Sequence, residues 1–118
     1  DVWSSADGVT WERVTAEAPW KFSDLPMTLV FRDRMWLMGG WKDGRLPTHG
    51  ATSEVWSSSD GADWRLETPA AGWSPRLAAG VAVFKDRMWV VGGTENYYFG
   101  DATSLKRDVW SSADGITW

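Results

Sequence analysis

The sequence predicts an all-β chain built from repeated four-stranded antiparallel sheets, and three observations carry that reading. An acidic residue followed by Val-Trp-Ser-Ser-x-Asp-Gly occurs at 1–8, 54–61 and 108–115, and Trp11, Trp64 and Trp118 close the three copies. Val-Phe, a basic residue and Asp-Arg-Met-Trp at 30–36 recur at 83–89, each followed by two apolar residues and a glycine pair, Gly39-Gly40 and Gly92-Gly93. The apolar runs are short and punctuated by Asp, Gly and Ser, and no stretch has a useful helical period.

The copies are offset by 53 and then 54 residues, and residues 1–40 match 54–93 at 18 positions without a gap. A unit of about 50 residues that holds four strands is the size and make-up of a β-propeller blade. Each element follows from local chemistry. Val81-Ala82-Val83-Phe84 and the run from Arg87 to Val91 flank Lys85-Asp86, which reads as two strands, A and B, joined by a tight turn. The Val-Trp-Ser segment is strand C. Ser-x-Asp-Gly is a turn, because Asp bonds its own backbone and Gly supplies positive φ; Asp7, Asp60 and Asp114 are therefore read as structural turn residues. Thr117-Trp118 opens strand D.

The chain thus begins on strand C and forms one segment, 1–118, of about two and a half blades. Residues 1–25 are the outer strands C and D of one blade and a linker. Residues 26–77 are a complete blade and linker, with strands at 26–31, 34–39, 53–58 and 63–67. Residues 78–118 are a third blade, with strands at 78–84, 87–92 and 107–112 and strand D truncated.

The residues quoted resemble the kelch repeat of β-propellers: an apolar strand ending in the glycine pair, a later aromatic, and a Trp eight positions beyond it. Here these are Gly39-Gly40, Trp56 and Trp64, then Gly92-Gly93, Trp110 and Trp118. The usual aromatic is Tyr, and this chain has Trp. The Asp turns are also similar to the Asp box of sialidase-like propellers, one residue short, where the motif is a structural hairpin. The resemblance implies a fold and leaves function open.

Tryptophan, at 11 residues, is the compositional anomaly. Trp3, Trp56 and Trp110 on strand C and Trp36 and Trp89 on strand B are read as core, filling the wedge between blades. Gly39, Gly40, Gly92 and Gly93 are read as strand ends needing close backbone approach. Arg34 and Arg87 recur beside Asp33 and Asp86 and are assigned to the turn. Trp20 and Trp73 recur in the D–A connections and are assigned to packing.

Two and a half blades cannot close a ring, and repeat units cannot bury their faces alone. Residues 1–11 and 108–118 agree at 10 of 11 positions, so the two ends compete for one structural place. The expectation is self-association, with strand exchange, into a closed ring of six or eight blades.

The net charge of −4, with no basic run, argues against a nucleic-acid-binding surface, and no apolar stretch reaches membrane-spanning length. With no Cys and one His, disulfides, thiol nucleophiles, Cys-ligated zinc and the copper chemistry of kelch-type oxidases are excluded. No catalytic set, metal-ligand spacing or cofactor motif appears, so no catalytic residue, metal or cofactor is expected. The compartment is left open; a soluble bacterial extracellular or periplasmic protein is the nearest expectation.

Function is expected on loops held by the rigid scaffold. The A–B and C–D turns are short and repeated, whereas the D–A and B–C connections are long and diverge, and both long sets fall on one face. Binding residues are expected among Trp41, Arg45 and His49 in one B–C loop and Asn96, Tyr97 and Tyr98 in the other. Aromatics beside polar groups suit a glycan or a protein ligand. The reading is a non-catalytic, self-assembling scaffold or binding module; the alternative is part of a sugar-binding or sugar-processing propeller, sialidase-like or epimerase-like.

Overall fold

A computed structural model of the protein describes residues 1–97 and 101–118. Tyr98, from the expected binding set, and its neighbour Phe99 lie outside the described residues. β1 (Val2–Ser4) pairs antiparallel with β2 (Glu12–Thr15). β3 (Phe22–Asp24) follows, and β4 (Met27–Phe31) and β5 (Arg34–Met38) form a hairpin. β6 (Trp41–Lys42) and β7 (Gly50–Ala51) lie in the long connection and pair with β3 in the order β3-β6-β7. β8 (Val55–Ser58) and β9 (Arg65–Thr68) complete a four-stranded sheet, β4-β5-β8-β9. β10 (Gly80–Phe84), β11 (Arg87–Val91) and β12 (Val109–Ser112) form a three-stranded sheet. The fold is all-β with several small antiparallel sheets, and among the described residues no sheet closes on itself.

The two inner hairpins turn on Arg32-Asp33 and Lys85-Asp86, all four at positive φ between 49° and 56°. That is the turn whose twist matches paired strands, and Asp tolerates it. Tryptophan indoles are tied down in the same way in successive repeats. Trp3, Trp56 and Trp110 each donate Nε1–H to the acid two residues earlier, Asp1, Glu54 and Asp108, at 2.9, 2.9 and 2.7 Å. Trp36 and Trp89 donate to the carbonyls of Phe31 and Phe84, across their own hairpins. Each indole is thereby oriented by a bond within its own repeat.

The sheets lie face to face. Register places Met27, Leu29, Phe31, Trp36, Met38 and Val55 on one face of the four-stranded sheet. They share a core with Val81, Met88, Val90 and Trp110 of the next sheet, and Trp73 and Ala71 of the connection seal it. The same repeat positions one sheet further on lack a cover. Phe31 is 5% exposed and Phe84 59%; Val55 is 0% and Val109 57%; Met38 is 0% and Val91 48%.

Three expectations need correcting. Arg34 and Arg87 do not serve the turn beside them. Each guanidinium reaches diagonally across its sheet to the third strand and donates to Ser57 or Ser111 Oγ at 3.0 Å, because both side chains share one face of the sheet. Trp3 is not in the core: it is 49% exposed, since β1 and β2 have no inner strands beside them. Two of the long connections are not plain loops, because 12–25 carries β3 and 41–52 carries β6 and β7.

Gly115 shows how closely the sheets approach. Its φ is +78°, and a Cβ there would lie 2.1 Å from the Trp36 ring. The equivalent Gly8 has φ +76° with nothing within 4 Å. Gly115→Ala is therefore expected to cost about 3 kcal/mol and Gly8→Ala about 1 kcal/mol, the cost of left-handed backbone alone. Urea unfolding of the two variants measures the difference.

Candidate functional site

The three repeated turns are closed by one set of bonds. Asp7 Oδ1 accepts from Val9 N and Thr10 N at 2.8 Å each; Asp60 Oδ1 accepts from Ala62 N and Asp63 N; Asp114 Oδ1 accepts from Ile116 N and Thr117 N. The preceding Ser5, Ser58 and Ser112 hydroxyls accept from Gly8, Gly61 and Gly115 N. Backbone N–H donors hold the Asp7 carboxyl down to about 2, and shift Asp60 and Asp114 in the same direction. A carboxyl depressed in the fold stabilises above its unfolded pKa of about 3.9 and ceases to as pH falls through the folded value. The thermal midpoint is therefore expected to stay flat from pH 7 to about 5 and to fall between about pH 4 and 2. These carboxylates are spent on structure.

The glycine pairs bring the start of one strand against the end of the next. Gly39 N donates to Glu54 O and Gly92 N to Asp108 O, both at 3.0 Å. A Cβ on Gly40 would lie 2.8 Å from Pro26 Cα, and one on Gly93 would lie 2.9 Å from Leu77 O. The chain therefore turns sharply out of the second strand, and the connection that follows is thrown onto the face carrying β3, β6 and β7.

On that face lies a cleft of about 610 Å³, lined by Asp24, Trp41, Gly44, Arg45, His49 and Tyr97. Antiparallel pairing sets Asp24 directly opposite Trp41, which puts their side chains on the same side of the small sheet. Ser23 stiffens the arrangement: its hydroxyl donates to Trp41 O at 3.1 Å and accepts from Gly44 N at 3.2 Å. Trp41 Nε1–H is satisfied by Gly44 O at 2.9 Å. The His49 ring stacks on Trp41 with centroids 5.3 Å apart, and Tyr97 leans on Trp41 at 5.8 Å. His49 Nδ1 contacts Leu46 O. A carbonyl only accepts, so Nδ1 carries a proton and Nε2 is left as the other ring nitrogen.

Four of the expected binding residues thus meet in one place: Trp41, Arg45, His49 and Tyr97. Asn96 is half-buried and is not among the lining residues of the cleft; its backbone N donates to Thr94 Oγ1 at 3.2 Å. Asp24 is the residue that sequence reasoning missed. Its signal was weak: an acid at the end of a connection on the same face as Trp41. Asp24 and Arg45 form no ion pair and no side-chain hydrogen bond among the described residues. The next repeat has Leu77 and Thr94, both buried, at the places of Asp24 and Trp41.

Trp20 and Trp73 pack rather than bind. Trp20 meets Trp64 edge-on at 5.8 Å, and Trp73 meets Trp118 edge-on at 5.9 Å. A second hollow, of about 230 Å³, lies over the first Asp turn and is lined by Ser4, Ser5, Ala6, Asp7, Thr10 and Glu12, with no aromatic wall. No group of three His, Cys, Asp or Glu side chains suited to a metal occurs among the described residues. Among them, no helix is long and apolar enough to cross a membrane. Neither the protein-family models nor the curated proteins compared contain a match to this chain.

Proposed function

We propose that the chain is a kelch-like β-propeller segment that acts as a non-catalytic scaffold, completed by further copies of itself into a closed ring and binding its ligand on the long-loop face. The observation that carries this is the repeat's own packing. The apolar face of the four-stranded sheet is covered by the next repeat, and the matching face of the β10-β11-β12 sheet, Phe84, Val91 and Val109, is exposed. A surface that one repeat covers inside the chain is complementary to another repeat supplied from outside. At two blades per chain, three chains make six blades and four make eight.

The binding part of the reading is supported by the cleft, which gathers aromatic and charged side chains from two diverged connections. Asp24 is the one carboxylate among its lining residues, so a paired-carboxylate hydrolase is the weaker reading.

Light scattering behind a sizing column tests the assembly. A mass of three or four chains is expected, and Phe84→Asp should dissociate the ring while leaving far-UV circular dichroism unchanged. A monomer at every concentration overturns the self-assembling scaffold.

A further inference from the structure

We infer that the cleft bounded by Asp24, Trp41, Arg45, His49 and Tyr97 is a saccharide site that prefers sugars carrying a carboxylate; this rests on reading the long-loop face as the ligand face. Its volume of about 610 Å³ falls within the range of small-ligand sites. The Trp41 ring, with His49 and Tyr97 each packed on it, builds an aromatic wall, and the C–H face of a pyranose packs against such a surface. The Trp41 N–H is already bonded to Gly44 O, so the indole offers its ring and not its donor.

Polar recognition comes from two charges that have no side-chain partner among the described residues. The Asp24 carboxylate accepts from sugar hydroxyls. The Arg45 guanidinium, exposed and unpaired, presents a planar fork whose geometry matches a carboxylate. Because the two charges do not neutralise each other, each is available to the ligand. The loop is also preorganised: Asp43 N donates to Lys21 O, Ser23 grips both Trp41 O and Gly44 N, and Trp41 pairs with Ala51. Preorganisation removes part of the ordering cost of binding. The equivalent positions of the next repeat are the buried Leu77 and Thr94, so that repeat does not carry the Asp24–Trp41 pair.

Isothermal titration calorimetry of the full chain, at a mass fixed by light scattering, tests this with a glucuronate-terminated oligosaccharide and its neutral glucose-terminated counterpart. The acidic sugar is expected to bind about tenfold more tightly. Arg45→Gln should erase that difference and leave the neutral sugar within about twofold; Asp24→Asn should weaken both; Trp41→Ala should abolish both. Among the described residues the Arg45 side chain makes no hydrogen bond or ion pair, so its variant reads the site even where Trp41→Ala fails to fold. No heat with either sugar, or no preference for the acidic one, overturns the inference, as does binding that Arg45→Gln leaves unchanged. A ring that binds no sugar overturns this inference alone, and a monomer that binds sugar overturns the assembly alone.

Discussion

Trp73→Ala is expected to lower the unfolding free energy by about 3–5 kcal/mol. The indole is 1% exposed and sits where the connection between the second and third sheets crosses their shared core. It meets Trp118 edge-on at 5.9 Å, and the Arg76 guanidinium lies 5.8 Å from its ring. A small domain has only about 5–15 kcal/mol in total, so the variant should unfold at a much lower urea concentration. Trp20→Ala is the internal control. Trp20 makes the same edge-on contact but is only half-buried, and its loss should be about half as costly. Equal midpoints for Trp73→Ala and the parent would remove Trp73 from the core in solution.

Arg76→Met is expected to cost about 3 kcal/mol, by a different mechanism. The guanidinium is fully buried and holds both oxygens of Asp108, at 2.7 and 3.0 Å. It also donates to Gly92 O at 2.9 Å and to Ser74 O at 3.1 Å. Meanwhile Arg76 O accepts from Gly40 N at 2.7 Å. One residue therefore joins the end of the second strand in one repeat to the third strand of the next. Methionine keeps the packing volume but leaves the Gly92 and Ser74 carbonyls without their donor. Arg76, and then the Trp110 N–H, hold the Asp108 carboxyl well below the usual carboxylate range. The pair therefore contributes fully above about pH 4 and is lost only in strong acid. Asp108→Asn should remove part of that acid sensitivity. An Asn variant with an unchanged acid profile would show that the pair does not form.

The repeat was legible because its causes are local. Alternating Val, Trp and Met select strands, Ser-x-Asp-Gly selects one turn through two backbone bonds, and Arg-Asp or Lys-Asp closes a hairpin, each within a few residues. The expected strands at 26–31, 34–39 and 53–58 appear as Met27–Phe31, Arg34–Met38 and Val55–Ser58 for that reason. The candidate site was legible only in part. Trp41, Arg45, His49 and Tyr97 were visible as polar and aromatic residues in diverging loops. Asp24 joins them through the pairing of β3 with β6, a contact between strands with an entire hairpin between them in sequence.

By itself, then, the sequence determined the all-β class, the period and the turn positions, since these depend on neighbours along the chain. Tertiary structure alone decided which of two like residues is core. Phe31 and Phe84 occupy the same repeat position on the same kind of strand, yet one is buried and the other exposed. It likewise decided that Arg34 grips Ser57 and that Asp24 faces the aromatic wall. Burial and convergence depend on what lies against a surface, and no local propensity encodes that.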